Sequence, residues 1–140
     1  MTFDEAIKNI LDAAQANYPE ITLIETGYDY SQDHKIMVFI NIDDEDKAPS
    51  GQCTSQFIVQ KAHITVIQYI GDKNPETVRK STAATSKKVE KVLKSNPKLD
   101  GFLITGAILE NAAGEDVING SKAKLNNIIF EGKYFRSTTQ

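Results

Sequence analysis

The sequence predicts an α+β domain: a four-stranded, mostly antiparallel or mixed sheet with two main helices packed on one side, in the order α-β-β-α-β-β. Three observations carry this. Two segments with helical apolar spacing, each with an N-terminal capping signal, stand apart in the chain. A run at residues 53–70 alternates with period two over an unusual length. Hairpin-like neighbouring strands are interrupted by one helical crossover, which favours a sheet with helices over an all-helical or all-β arrangement.

The first helix opens at Thr2, which with Glu5 fits a capping box, and places Phe3, Ile7, Ile10, Leu11 and Ala14 on one stripe before Pro19. "ITLIETG" (21–27) fits either a short strand or an extended arm. "IMVFINI" (36–42) is β-branched, apolar and too short for a typical helix, so it reads as a strand covered on both faces. A polar loop, "DDEDKAPSGQ" (43–52), follows. In the long run from Cys53 to Ile70, one face carries Ile58, Ala62, Ile64, Val66 and Ile70. The other carries Phe57, Val59, Lys61, His63, Thr65, Ile67 and Tyr69 and reads as half buried.

Asn74 as N-cap with Pro75 at the first helical position opens the second helix. Its spacing gives a sheet-facing stripe of Val78, Thr82, Thr85, Val89, Val92 and Leu93, and an opposite row of Lys80, Lys87, Lys91 and Lys94; Asn96 and Pro97 end it. "GFLITGAIL" (101–109) is a third strand, 112–120 a polar loop or turn, and "LNNIIFEGKYFRST" (125–138) a fourth strand with Gly132 as a candidate bulge. At 140 residues, with no repeat or linker, the chain 1–140 reads as one domain.

The N-terminal sequence lacks the pattern of a signal peptide and no apolar run is long enough to span a membrane, so a cytoplasmic setting is expected. The single cysteine, Cys53, agrees with a reducing compartment and excludes a cysteine cluster for zinc. Charge is divided along the chain. Residues 1–50 carry three basic and eleven acidic side chains, a balance of −8, and residues 51–140 thirteen basic and eight acidic, a balance of +5. Such a split fits either a nucleic-acid site with an acidic counterpart or two faces that complement each other between copies.

Catalytic constellations are few. His34 and His63 read as structural or solvent-facing. Cys53 and His63 lie ten residues apart on one extended run, roughly 33 Å at about 3.3 Å per residue, too far to act together. Hydrolase, P-loop and dinucleotide signatures are absent. The run Asp43, Asp44, Glu45, Asp46 fails as a calcium loop, because a loop begun at Asp44 puts Pro49 at the glycine position and Ser55 at the bidentate-glutamate position. No cofactor or metal is expected, and the chain reads as non-enzymatic. The basic row is lysine, without interleaved aromatic residues, in a chain acidic overall, which argues against nucleic-acid recognition. What remains is a solvated lysine face, or a basic surface that meets the acidic half of a neighbouring copy and closes a ring.

The succession of capped helix, "IMVFINI", acidic loop, "HITVIQYIG", the helix from "NPETVRK" to "VLKSN", "PKLDGFLITGAILE" and "NNIIFEGKYFRS" resembles the tail terminator, or tail completion, proteins of long-tailed bacteriophages and prophages, over residues 2–137. The resemblance lies in architecture and size rather than in a diagnostic motif. It implies a structural virion protein, assembled in the host cytoplasm, that forms a hexameric ring on the tail tube. Such a ring ends polymerisation of the tube protein and offers a surface to head-completion proteins. The interface residues would include Asp43, Asp44, Glu45, Asp46, Phe57, Val59, Lys80, Lys87, Lys91 and Lys94, with loops 43–52 and 111–121 facing tube or head. Other head-to-tail connector proteins share these features. A small-molecule or peptide-binding module with a pocket of Tyr69, Phe102 and Tyr134 is the alternative from a different class, and an enzyme centred on His63 in a pocket is a third.

Overall fold

A computed structural model describes residues 1–27, 36–48 and 55–137, and the side chains within these except those of 46–48, 55 and 137. The elements are α1 (Phe3–Ala13), a 3-10 turn (Gln15–Asn17), β1 (Leu23–Thr26), β2 (Met37–Ile42), β3 (Asp46–Ala48), β4 (Ser55–Tyr69), α2 (Pro75–Ser95), β5 (Thr105–Ile118) and β6 (Ser121–Ser137). They build one mixed sheet of six strands in the order β1-β2-β4-β6-β5, with β3 pairing the other end of β4. Only β1 and β2 run parallel; the remaining pairs are antiparallel.

The expected four strands and their order are therefore corrected in three places. "ITLIETG" contributes β1. The loop 43–52 contains β3, and its residues 49–52, like Cys53 and His34, lie outside the described residues. The segment 112–120 is no loop, because β5 continues to Ile118 in unbroken register with β6. Asn119 and Gly120 alone make the connection, both with positive φ (51° and 80°), the backbone of a two-residue type I′ hairpin.

Two glycines opposite each other allow close packing on the sheet, Gly132 against Phe3 of α1 and Gly106 against the Pro97 backbone. Gly106 pairs with Gly132. A Cβ on Gly132 would lie 2.7 Å from Phe3 Cζ and 2.8 Å from Leu103 Cδ2; one on Gly106 would lie 2.6 Å from the Pro97 carbonyl oxygen. Gly132 thus serves close packing and is not a bulge. The register instead slips between Ile108 and Glu110, where Leu109 is the extra residue.

Alternation along β4 sorts the sheet's faces as expected: Ile58, Ala62, Ile64 and Val66 enter the main core with Val38, Ile40, Ile128 and Phe130. Both helices bury their apolar sides in that same cluster, α1 through Phe3, Ile7 and Leu11 and α2 through Val89, Val92 and Leu93. Eleven residues are marginal as an isolated helix, so α1 depends on those three side chains, each contributing roughly 1.5–3 kcal/mol on burial. The Thr2 hydroxyl donates to Glu5 Oε1 at 2.8 Å but accepts no backbone N–H, so the two residues meet side chain to side chain and the expected capping box does not form. At α2 the cap is complete, with Asn74 Oδ1 accepting from the N–H groups of Glu76 and Thr77.

The other face carries no helix among the described residues. A smaller cluster of Met37, Phe39, Ile67, Ile118 and Ala123 occupies one end of it. Thr65, on the same face, is also buried, so this face of β4 is more covered toward Tyr69 than the half-buried expectation.

Candidate interaction surfaces

The topology turns the charge division of the chain into a lateral division of the molecule. On one side of β4 lie β2, β1 and β3 with α1 packed on β1 and β2, all from the acidic first third. On the other lie β6 and β5 under α2. Lys80, Lys87, Lys91 and Lys94 are all exposed on α2. Among the described residues, Lys94 is the one of these four within 4 Å of a carboxylate, Glu90 at 3.9 Å in its own helix. Lys88 reaches Glu20 at 3.1 Å, tying α2 to the segment after α1.

The acidic loop is partly neutralised by its own chain. Asp43 Oδ2 accepts from His63 Nε2 at 3.1 Å, and Glu45 Oε1 accepts from Arg136 Nη1 at 2.5 Å. Asp44 is exposed, and Asp46 begins β3. The structure thus brings Asp43 and Glu45 to basic side chains, but to His63 and Arg136 rather than to the lysine row. Phe57 and Val59 lie half-buried on the helix-free face, where Phe57 packs on Phe135 with ring centroids 5.4 Å apart. Phe135 itself is 58% exposed, which marks that end of the face as uncovered.

His63 belongs to a polar chain on this face. Its Nε2 donates to Asp43, its Nδ1 accepts from Asn127 Nδ2 at 3.2 Å, and Thr65 Oγ1 donates to Asn127 Oδ1 at 3.1 Å. This network assigns the Nε2–H tautomer. The carboxylate partner that an enzyme reading asks for is present, but the pair stands on an open sheet face, and the one hydroxyl in the chain, Thr65, is already committed to Asn127. Among the described residues no group of three or more His, Cys, Asp or Glu is placed to hold a metal. Among the described residues no helix is long and apolar enough to cross a membrane.

A cavity of about 390 Å³ opens at the start of α1, between Phe3, Phe102, Tyr134, Gln60, Glu45 and Arg136. The Phe102 and Tyr134 rings are 5.0 Å apart at its base. Tyr134 Oη donates to Gln60 Oε1 at 2.9 Å, and burial, then the nearby Glu45 charge, raise its pKa. Tyr69, expected in the same pocket, instead packs against the Met37–Ile67 cluster on the opposite face.

β5 begins within the third strand read at 101–109, and the surface that sequence reasoning missed is its continuation through 110–118. Nearly all of its 14 residues are exposed or half-buried, and among the described residues no strand lies outside it. Its signal was the Asn119–Gly120 dipeptide, which marks a hairpin and therefore two strands where a loop was read.

No protein-family model matches the chain, and no curated protein matches it. Among solved structures, a chain of the virion of a native gene transfer agent particle is similar, with 14% identity over 94% of this chain and 92% of that one and a TM-score of 0.47. A likeness that distant carries no argument about function.

Proposed function

We propose that residues 1–140 act as a single, non-enzymatic structural unit of a bacteriophage-like particle, a ring that caps the tail tube, ends its polymerisation and joins it to the head. The tube protein, head-completion proteins and further copies of the chain are its partners, and the virion tail is its location. The observation that carries the reading is the lateral charge division. An exposed lysine row stands on one side of the sheet and the acidic α1, β1 and β3 region on the other, so copies arranged head to tail meet with opposite sign. In this ring Lys80, Lys87, Lys91 and Lys94 face Asp43, Asp44, Glu45 and Asp46 of the next copy, with Phe57 and Val59 in the adjoining apolar contact.

The test is the mass in solution by light scattering across protein and salt concentrations, alone and with a tail-tube protein. The expected result is a six-subunit species, or arrest of tube growth, that weakens with added salt. A chain that neither associates nor arrests any tube overturns the reading. The aromatic cavity favours a second one, a small-molecule or peptide-binding module. It predicts that a ligand raises the unfolding temperature at fixed protein concentration.

A further inference from the structure

We infer that β5 is a two-fold pairing edge, at which two copies of this chain join their sheets by running β5 antiparallel to β5 about an axis at Asn111. Exposed sheet edges in soluble proteins are normally short or guarded by lysine or proline. Two edge strands here follow that rule by length, β1 with 4 residues and β3 with 3. At 14 residues β5 does not; it carries the bulge at Leu109 and three carboxylates, but "TGAILENAAGEDVI" contains no lysine, arginine or proline.

The occupant is a second copy because the strand complements itself in one direction only. Its carboxylates, Glu110, Glu115 and Asp116, all lie after Leu109, while Thr105–Leu109 is uncharged. Parallel pairing in register would stack carboxylate on carboxylate; antiparallel pairing sets each one against an uncharged residue. An axis at Asn111 puts Glu110 opposite Ala112. The extra residue at Leu109 then shifts the outer segments by one, bringing Gly114 opposite Ala107, Asp116 opposite Thr105 and Val117 beside Ile104. All the residues so paired from Thr105 to Asp116 share the helix-free face, since their β6 partners form one alternating row from Lys133 to Ala123.

Two otherwise unanswered features are met by this register. Val117 and Ile104, 60% and 46% exposed, cover each other at both ends of the joint. Asp116 arrives next to Lys133, the β6 neighbour of Thr105, and neither has an ion-pair partner among the described residues. Helix α2 does not oppose the approach with its lysines. Its flank toward β5 is marked by Ser86, whose hydroxyl donates to Asn111 Oδ1 at 3.1 Å, and carries Arg79, Ala83 and Glu90. Lys88 and Lys91 sit on the flank toward α1, beside Ala14 and Asn17.

The pairing is independent of the ring, whose contacts are head to tail, and it is read in the free, full-length protein by sedimentation equilibrium. With the ring contact removed by Lys80→Glu and Lys87→Glu, the expected species contains two subunits. Asp116→Lys and Lys133→Glu each weaken it about tenfold or more, because every change acts twice in a two-fold joint, and the double variant recovers it. Lys80→Glu with Lys87→Glu leaves it intact, although the same change disrupts the ring. Amide hydrogen exchange of 105–118 in the wild-type chain slows as concentration rises, a readout that needs no variant. A monomer at all accessible concentrations, a dimer indifferent to both single reversals, or exchange in β5 that ignores concentration overturns the inference.

Discussion

Tyr18 shows how one side chain holds an element in place. Its ring is fully buried and its hydroxyl donates to the Leu11 carbonyl at 2.6 Å, adding a second donor to an acceptor in the last turn of α1 that otherwise has only the Ala14 N–H at 3.2 Å, shared with Ile10. Burial, then the charge of Asp12, pushes its pKa well above the ordinary 10.0. A raised folded-state pKa means the folded chain holds this proton more tightly than the unfolded one. The contribution is therefore complete below about pH 10 and is lost as the pH rises above it toward the folded value. Tyr18→Phe should cost about 1 kcal/mol at neutral pH in urea unfolding and flatten the loss of stability above pH 10; an unchanged alkaline limb would show that another group controls it. Nothing in the sequence pattern marks Tyr18, since its role depends on a carbonyl seven residues away. The lysine row was legible because helical spacing alone defines it.

At the scale of elements, legibility followed burial. The alternation of β4 and the stripe and cap of α2 were readable because each has one buried and one solvated side, which leaves a period in the sequence. The second half of β5 has neither side buried, and "NAAGED" is made of residues with low strand propensity, so no period remains. Pairing with β6 decides its conformation, and the hairpin turn delivers that pairing. Gly120, at φ +80°, would meet nothing within 4 Å if it carried a Cβ. Its replacement is therefore a backbone problem alone, and Gly120→Ala should destabilise by about 1–2 kcal/mol through the strain of a left-handed alanine. At Gly106 the obstacle is steric, in part against the Pro97 backbone, and compensating side-chain movement cannot remove it. Gly106→Ala should cost more than Gly120→Ala, about 2–3 kcal/mol in the same assay, and a smaller loss than at Gly120 would contradict the close packing described for this site.

Across the whole molecule, the opposite charge of the two chain segments was visible in the sequence, but its meaning depended on topology. Had β strands from the two segments interleaved, the charges would have cancelled locally; instead the two segments lie on opposite sides of β4. The acidic loop was harder to read, since His63 and Arg136, distant in sequence, come from β4 and β6 to meet Asp43 and Glu45. A complementary pair of variants tests what this division does. One carries Lys80→Glu, Lys87→Glu and Lys91→Glu; the other carries Asp43→Lys, Asp44→Lys and Asp46→Lys. The three lysines are exposed and in no ion pair among the described residues, so the first variant should unfold within about 0.5 kcal/mol of the parent. In a head-to-tail ring each variant alone presents like charge at every joint and should neither form the six-subunit ring nor cap a tube, while the β5 pairing is untouched. Mixed in equal amounts, they restore opposite charge at every joint if they alternate, and light scattering should recover the mass of the parent ring. Recovery only in the mixture would place the lysine row against the acidic loop of the next copy. Formation of the six-subunit ring by either variant alone would mean that the charges merely coat the surface, and that other contacts build the ring.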